Sequence, residues 1–232
     1  MSFPTMPQSN NQDLRSFAQD ACAGAEIIGP LNGLNEQSSL LGDIVQFRQR
    51  MYSSKASYLL HPAQLAIETA LQLDYRSIHF LALNSQSRQL VGTLRITPSP
   101  FEFSALSSEL REIEQEFASY VEFSRFIVNQ QDARPGLSLQ LMAKGTLWAL
   151  DSGSRGIVAL CRRGPHRLFA RFGLSPYRDR KFCIPSRGAY SYDLLSASFN
   201  DIQRKIIRQT STASPRHSVP AHHRDPDNQE SM

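Results

Sequence analysis

The sequence predicts a mixed α/β (α+β) fold, and two observations carry that reading. The spacing of apolar residues switches repeatedly between the 3.6-residue period of a helix and the two-residue period of a strand. The apolar runs are also short, and Gly, Pro and polar clusters punctuate them. Leu40, Ile44, Phe47 and Met51 share one stripe and predict a first helix with basic residues on its other side. Ile78 to Leu83 (IHFLAL) and Leu90 to Thr97 (LVGTLRIT) predict a β-hairpin joined by polar turn residues, and Pro98 and Pro100 end its second strand. Glu109 to Phe117 follows as a charged helix, and Tyr120 to Val128 (YVEFSRFIV) as a third strand. Leu137 to Leu150 predicts a long helix with Leu137, Leu141, Gly145 and Trp148 on its periodic face, stopped by Gly153. Gly156 to Cys161 (GIVALC) lacks alternation and predicts a buried strand. Pro165 to Phe172 predicts a short helix ending at Gly173, with late strands at Phe182 to Ile184 and Tyr190 to Leu194.

Both ends differ in composition from this middle. Residues 1–39 mix Pro, Ser, Asn and Gln with breaks at Gly29-Pro30 and Asn32-Gly33, which predicts a partly disordered arm. Residues 208–232 carry Pro215, Pro220 and Pro226 with few large apolar side chains, which predicts a disordered tail. A single domain over 40–207 remains, roughly 165 residues, enough to bury about 70% of the surface an unfolded chain exposes.

The 232 residues are 41% hydrophobic and 20% charged, with 25 Lys+Arg against 21 Asp+Glu, a net charge of +4. That balance permits an acidic partner without requiring nucleic acid. Cys22, Cys161 and Cys183 form neither a CxxC pair nor an even set, so no disulfide framework or thiolate metal site is predicted, and a reducing, cytoplasmic location fits. No run reaches the length of a bilayer span, and the first residues lack a signal peptide's basic end and apolar core.

The element order, together with Leu168-Phe169-Ala170-Arg171-Phe172-Gly173-Leu174, resembles the GCN5-related N-acetyltransferase (GNAT) superfamily over roughly residues 40–195. Asp74 before the first hairpin strand, Gly92-Thr93-Leu94-Arg95 in the second and Glu122-Phe123-Ser124-Arg125 in the third are similar to one branch. That branch holds the long-chain N-acyl amino acid synthases and the acyl-homoserine lactone synthases. The first helix has Phe47 and Arg48 but no tryptophan, paired acidic residues before Asp74 are missing, and Arg95-Ile96-Thr97-Pro98 stands for an R-x-x-P, so the amino acid synthase side is favoured.

The resemblance implies a mostly antiparallel central sheet with flanking helices and one splayed strand pair. A thioester donor would lie in the gap between the splayed strands. Acyl transfer from thioester to amine needs a neutral amine, a polarised carbonyl and close approach, with no covalent nucleophile. Glu122 is the candidate base, Arg125 and Arg95 the candidates for an acceptor carboxylate, and Asp74 a candidate anchor for the amine. Glu122 and Arg125 point to opposite faces of a regular strand, so both reach a cleft only across a β-bulge, which the superfamily places there. His79 reads as a satisfied core histidine ahead of a base, and Cys161 as a thiol without a supporting His and acid.

The backbone of Phe126, Ile127 and Val128 is the expected partner of the donor's pantetheine amides. Arg134, Gly136, Leu137 and Ser138 form the expected phosphate grip at a helix N-terminus. That loop is poor in glycine, and Pro135 removes a donor, so one phosphate fits more readily than a pyrophosphate. No tightly bound cofactor is expected; the co-substrate is acyl-phosphopantetheine on acyl carrier protein, or acyl-coenzyme A. Arg155 to Arg187 carries nine basic residues against Asp179, and the face around Arg162, Arg163, Arg167 and Arg171 is the expected dock for an acidic carrier protein. Phe101, Phe103, Phe117, Phe123, Phe126 and Trp148 are candidates to line an acyl tunnel, with plain core packing as the competing reading. Acetyl-coenzyme A-dependent N-acetylation, lactone synthesis and a non-enzymatic binding scaffold are the alternative functions, and nucleic acid is the weaker partner for the basic run.

Overall fold

The computed structural model describes residues 15, 24–32, 34, 38–133, 135–162 and 164–213. Seven strands form one sheet: β1 (Ala25–Leu31), β2 (Ile78–Asn84), β3 (Leu90–Pro98), β4 (Tyr120–Val128), β5 (Gly156–Cys161), β6 (Ser175–Cys183) and β7 (Ser191–Ser198). Their order is β1-β2-β3-β4-β5-β7-β6. Neighbours are antiparallel except β4 and β5, which run parallel. The helices are α1 (Ser39–Lys55), α2 (Pro62–Ala70), α3 (Leu73–Arg76), α4 (Ser108–Glu112), α5 (Leu137–Asp151), α6 (His166–Arg171) and α7 (Phe199–Ala213). A mixed, mostly antiparallel sheet with flanking helices is the architecture expected from the sequence. Among the described residues no helix is long and apolar enough to cross a membrane.

The two sheet faces differ in chemistry because the strands alternate. Leu94, Ile96 and Phe123 point toward α5, where Gly145 sits directly above them. A Cβ there would lie 2.6 Å from the tip of the Leu94 side chain, so any larger residue would require Leu94 to shift. Phe199, Ile202 and Ile206 of α7 and Phe169 of α6 join this core. A second core, built from Phe101, Phe103, Leu110 and Phe117, packs against Val158, Phe182 and Leu194. On β2, β3 and β4, one face instead carries a polar row. Cross-strand register places His79 opposite Arg95 and Arg95 opposite Ser124, with Thr97 opposite Glu122. All five are buried except Ser124, which is half-buried.

Several expectations are corrected. Residues 25–31, assigned to an arm, form β1, because β2 supplies an edge with which Ala25 to Ile28 pair. Gly29-Pro30 produces a register shift where the sequence predicted a break. The arm's residues 1–14 and 16–23 and the tail's residues 214–232, including His222 and His223, lie outside the described residues. Residues 208–213, assigned to the tail, continue α7. The charged helix at 109–117 divides into α4 and a 3-10 turn, Glu114–Phe117. The strand expected at 182–184 begins at Ser175. Its Arg-, Asp- and Lys-rich stretch is an exposed edge, where charge protects against unwanted strand pairing and hides the strand from an apolar pattern.

α2 and α3 were not anticipated. Pro62 opens α2, and the His61 side chain accepts a hydrogen bond from the Ala63 N–H as its cap.

Candidate active site

β4 and β5 pair through Tyr120↔Gly156, Val121↔Ile157 and Glu122↔Val158, and no further. β4 stays bonded to β3 as far as Val128↔Gly92, and β5 stays bonded to β7 as far as Cys161↔Asp193. Beyond Glu122 the two parallel strands therefore diverge. A bulge in β4 accompanies the divergence: Arg125 sits at φ +50°, and the register against β3 shifts between Thr93 and Arg95. Such a bulge adds local twist and re-aims side chains. The Thr93 hydroxyl caps the irregularity by donating to the Arg125 carbonyl at 3.0 Å.

A cavity of about 780 Å³ occupies the wedge. Phe123 to Val128 line one side, Leu160 to Arg162 with Pro165, Leu168 and Phe169 the other, and Met51, Tyr52, Tyr58 and Leu59 cover it. Glu122 lies in its wall together with Arg125, so across the bulge both border one space. Phe126, Ile127, Val128 and Ser138 also line it. Gly136 takes a left-handed conformation at the α5 N-terminus, and Leu137 is buried in the core; neither is among the lining residues, and Arg134 lies outside the described residues. Of the six aromatic candidates for an acyl tunnel, Phe123 and Phe126 line the cavity. Phe101, Phe103 and Phe117 belong to the second core, and Trp148 packs against the first.

Arg95 and Asp74 stand behind this wall, which corrects their expected direct contact with an acceptor. Arg95 is fully buried, and its guanidinium donates to Ser124 at 3.1 Å, Glu68 at 2.8 Å, Asp74 at 3.0 Å and Glu102 at 2.5 Å. Four acceptors around one planar fork leave it as the hub of an ion-pair network. Burial opposes the Asp74 charge, but Arg48 at 2.7 Å and Arg95 outweigh it and hold the carboxyl well below the usual range. His79 is enclosed: its Nε2 meets the Asp74 carbonyl at 2.9 Å, so that nitrogen carries the proton, and its Nδ1 receives Arg48 at 3.4 Å. Burial and the Arg48 charge push its pKa down to about 4, so it is a neutral structural histidine.

Glu102 was missed by the sequence reading and proves central. Flanked by Phe101 and Phe103, it looks like a stray charge in an apolar run. It is buried, receives Arg95, Arg125 at 3.0 Å, Arg187 at 2.6 Å and Gln64 at 2.9 Å, and its N–H donates to Glu122 at 2.6 Å. Arg125 also pairs with Glu68 of α2 and stacks 5.7 Å over the Tyr52 ring. Its pKa falls to about 10 through burial, which leaves it charged at neutral pH. Burial, and then the neighbouring Glu102 carboxylate, push Glu122 well above the ordinary carboxylate range despite Arg95 and Arg187. A carboxyl so placed changes protonation nearer to neutrality, as a general base must.

Cys161 lines the cavity, but burial pushes its thiol up to about 12. Replacing Cys161 by Ala is expected to leave turnover unchanged, and the native thiol to resist iodoacetamide; rapid alkylation at neutral pH is the contrary result.

The residues of the basic run differ in their settings. Arg187 is buried; Arg178 pairs with Glu116 at 2.9 Å, Arg180 with Glu109, and Lys181 with Asp193. Arg162 stacks 3.7 Å over Tyr190 at the cavity, while Arg155, Arg167 and Arg171 are exposed; Arg163 lies outside the described residues.

No known family profile matches the chain, and no curated protein is similar to it in sequence. Solved structures are similar in fold. An N-acetyltransferase described as putative, from Lactobacillus plantarum, superposes with a TM-score of 0.54 at 11% identity, over 76% of this chain and 99% of that one. A coenzyme A-dependent acyl-homoserine lactone synthase, BjaI, gives 0.53 at 17% identity, over 79% of this chain and 89% of its own. FeeM, an N-acyl amino acid synthase from uncultured soil microbes, gives 0.52 at 13% identity, over 80% and 96%. Sheet order, splayed strands and these likenesses agree: the chain has the GCN5-related N-acetyltransferase fold, in the form shared by acetyltransferases, lactone synthases and an N-acyl amino acid synthase.

Proposed function

We propose that the protein is an N-acyltransferase moving a fatty acyl group from a thioester to the amine of an amino acid or similar small amine. The observation that carries this reading is the wedge between β4 and β5, with Glu122 at its base and Arg125 beside it. The donor's pantetheine arm would lie along Phe126 to Val128, whose edge away from β3 faces the gap, and its thioester would reach the Glu122 end. An incoming ammonium gives one proton to ionised Glu122. The amine then attacks the thioester carbonyl, the C–N bond forms, the C–S bond breaks, and the second proton lost from nitrogen leaves on the thiol.

The loop before α5 favours acyl carrier protein over coenzyme A. The N–H groups of Asp132 and Ala133 bond to the Asn129 carbonyl, the Gln131 N–H bonds to the Asn129 side chain, and Asp132 adds negative charge. Donors already used within the turn cannot grip a pyrophosphate, whereas the α5 N-terminus beside Ser138 serves a single phosphate. Arg167 and Arg171 are exposed, and their positive charge supports attraction of an acidic carrier.

The test is mass spectrometry of amines incubated with carrier-protein thioesters of several chain lengths and, in parallel, coenzyme A thioesters. Long-chain amides formed from the carrier are the expected result. Product from acetyl-coenzyme A alone would replace this reading by N-acetylation, and no product from either donor set would overturn it.

A further inference from the structure

The late β6–β7 connection brings one arginine into the cavity from far along the chain. The 3-10 turn Pro185–Arg187 places the Arg187 guanidinium inside, where Nε donates to Gln64 at 2.8 Å and a terminal nitrogen to Glu102 at 2.6 Å. Arg125 donates to the same Glu102 oxygen at 3.0 Å, so the two guanidiniums converge on one point, and both line the cavity. The Arg187 guanidinium lies 6.0 Å from the Tyr58 ring centroid and 5.7 Å from that of Tyr192, both in the cavity wall. Glu122 is adjacent, through the N–H of Glu102.

We propose that Arg187 is an acceptor-specificity residue, forming with Arg125 a clamp for the carboxylate of the amine substrate. The inference rests on the acyl-transfer reading above and deepens it. Arg125 and Arg187 supply the paired planar donors that a carboxylate takes in bidentate fashion, which Arg95, closed off behind the wall, cannot. Charge balance points the same way. Arg48, Arg95, Arg125 and Arg187 face Glu68, Asp74, Glu102 and Glu122, and once Glu122 has taken the ammonium's proton the cluster holds one positive charge in excess. A bound carboxylate neutralises that excess in a low-dielectric setting. The tyrosine rings then border the acceptor's side chain, and its amine falls on the Glu122 side.

The test compares amino acids with their α-amides, which keep the amine and lose the charge. The wild-type protein is expected to favour the free acid by about 10–100-fold in kcat/KM, the range of a hydrogen bond to a charged group. Arg187→Met is expected to raise KM for the acid by a similar factor beyond any rise in KM for the amide, with Arg187→Lys intermediate. Thermal shift of the full chain with each compound, without donor, supplies a readout independent of turnover. Stabilisation by acids over amides supports the clamp even where no acylation occurs, an outcome that would instead remove the acyl-transfer reading. Equal stabilisation and equal turnover of acid and amide, or a loss in Arg187→Met that is the same for both, overturns the clamp.

Discussion

Replacing Glu122 by Gln is expected to lower acyl transfer by about 10²–10⁴-fold, the usual contribution of a positioned general base, while making the folded protein more stable at alkaline pH. The two effects have one cause. The pocket that tunes Glu122 toward neutrality also penalises its charge, with burial first and Glu102 second. A carboxyl whose folded pKa is raised binds its proton more tightly folded than unfolded. Stability is therefore full below the unfolded value, about 4.3, and declines as pH rises through the folded one. The amide cannot ionise, yet its oxygen still accepts the Glu102 N–H, so the decline disappears. Melting temperatures of wild type and Glu122→Gln across pH 5 to 9, with acyl transfer measured on the same samples, check both halves. Parallel melting curves at every pH would show that Glu122 is already ionised and solvated. Unchanged turnover would remove it from the reaction. The wild-type rate itself should fall on acidification through a pKa above the ordinary carboxylate range.

Arg95→Met is expected to be the most damaging single change, costing about 3–5 kcal/mol, because it leaves Glu68, Asp74 and Glu102 without the guanidinium that compensates them. For a chain of this size that corresponds to a melting point lower by roughly 6–20 °C. Arg95→Lys should recover little, since one ammonium cannot serve four acceptors spread around a plane. Denaturant unfolding of the two variants decides the matter. A loss of less than about 1 kcal/mol would mean that water reaches the network and screens it, as it does for surface pairs. The damage should extend to the cavity, because Arg125 and Arg187 share Glu102 with Arg95.

Much of the architecture was legible from pattern alone. β4 and β5 fall at the residues where apolar runs placed them, and α5 follows its 3.6-residue stripe with Gly145 at the closest approach to the sheet. The misses share a physical reason. β1 and β6 are edge strands, stable only because a neighbour accepts their hydrogen bonds, so their own composition need not look like strand. α2 reads as a short segment of weak pattern, yet it carries Glu68 and Gln64 into the network.

The site divides along the same line. Glu122 and Arg125 stood out through the resemblance of Glu122-Phe123-Ser124-Arg125 to one family branch, which also implied the bulge that the β3–β4 register shows. Arg95 and Asp74 were expected to contact substrate, yet Arg95 is fully buried and neither is among the residues lining the cavity. Glu102 and Glu68 left no readable signal, and Arg187 was read only as part of the basic run, because a charged residue in a short helix, a turn or an apolar run looks the same whether solvent or another chain segment answers it.

What the sequence by itself determined was most of the helices and strands between residues 40 and 198, since periodicity and local backbone chemistry act between near neighbours; the bulge in the strand bearing Glu122 came from the family resemblance. Which charges face one another across the fold, and hence that Glu122 is held near neutrality while Arg187 enters the cavity, was decided only by tertiary structure. Desolvation and Coulomb interactions depend on distance in space, and segments separated by more than a hundred residues, such as Gln64 and Arg187, meet only once the sheet has formed.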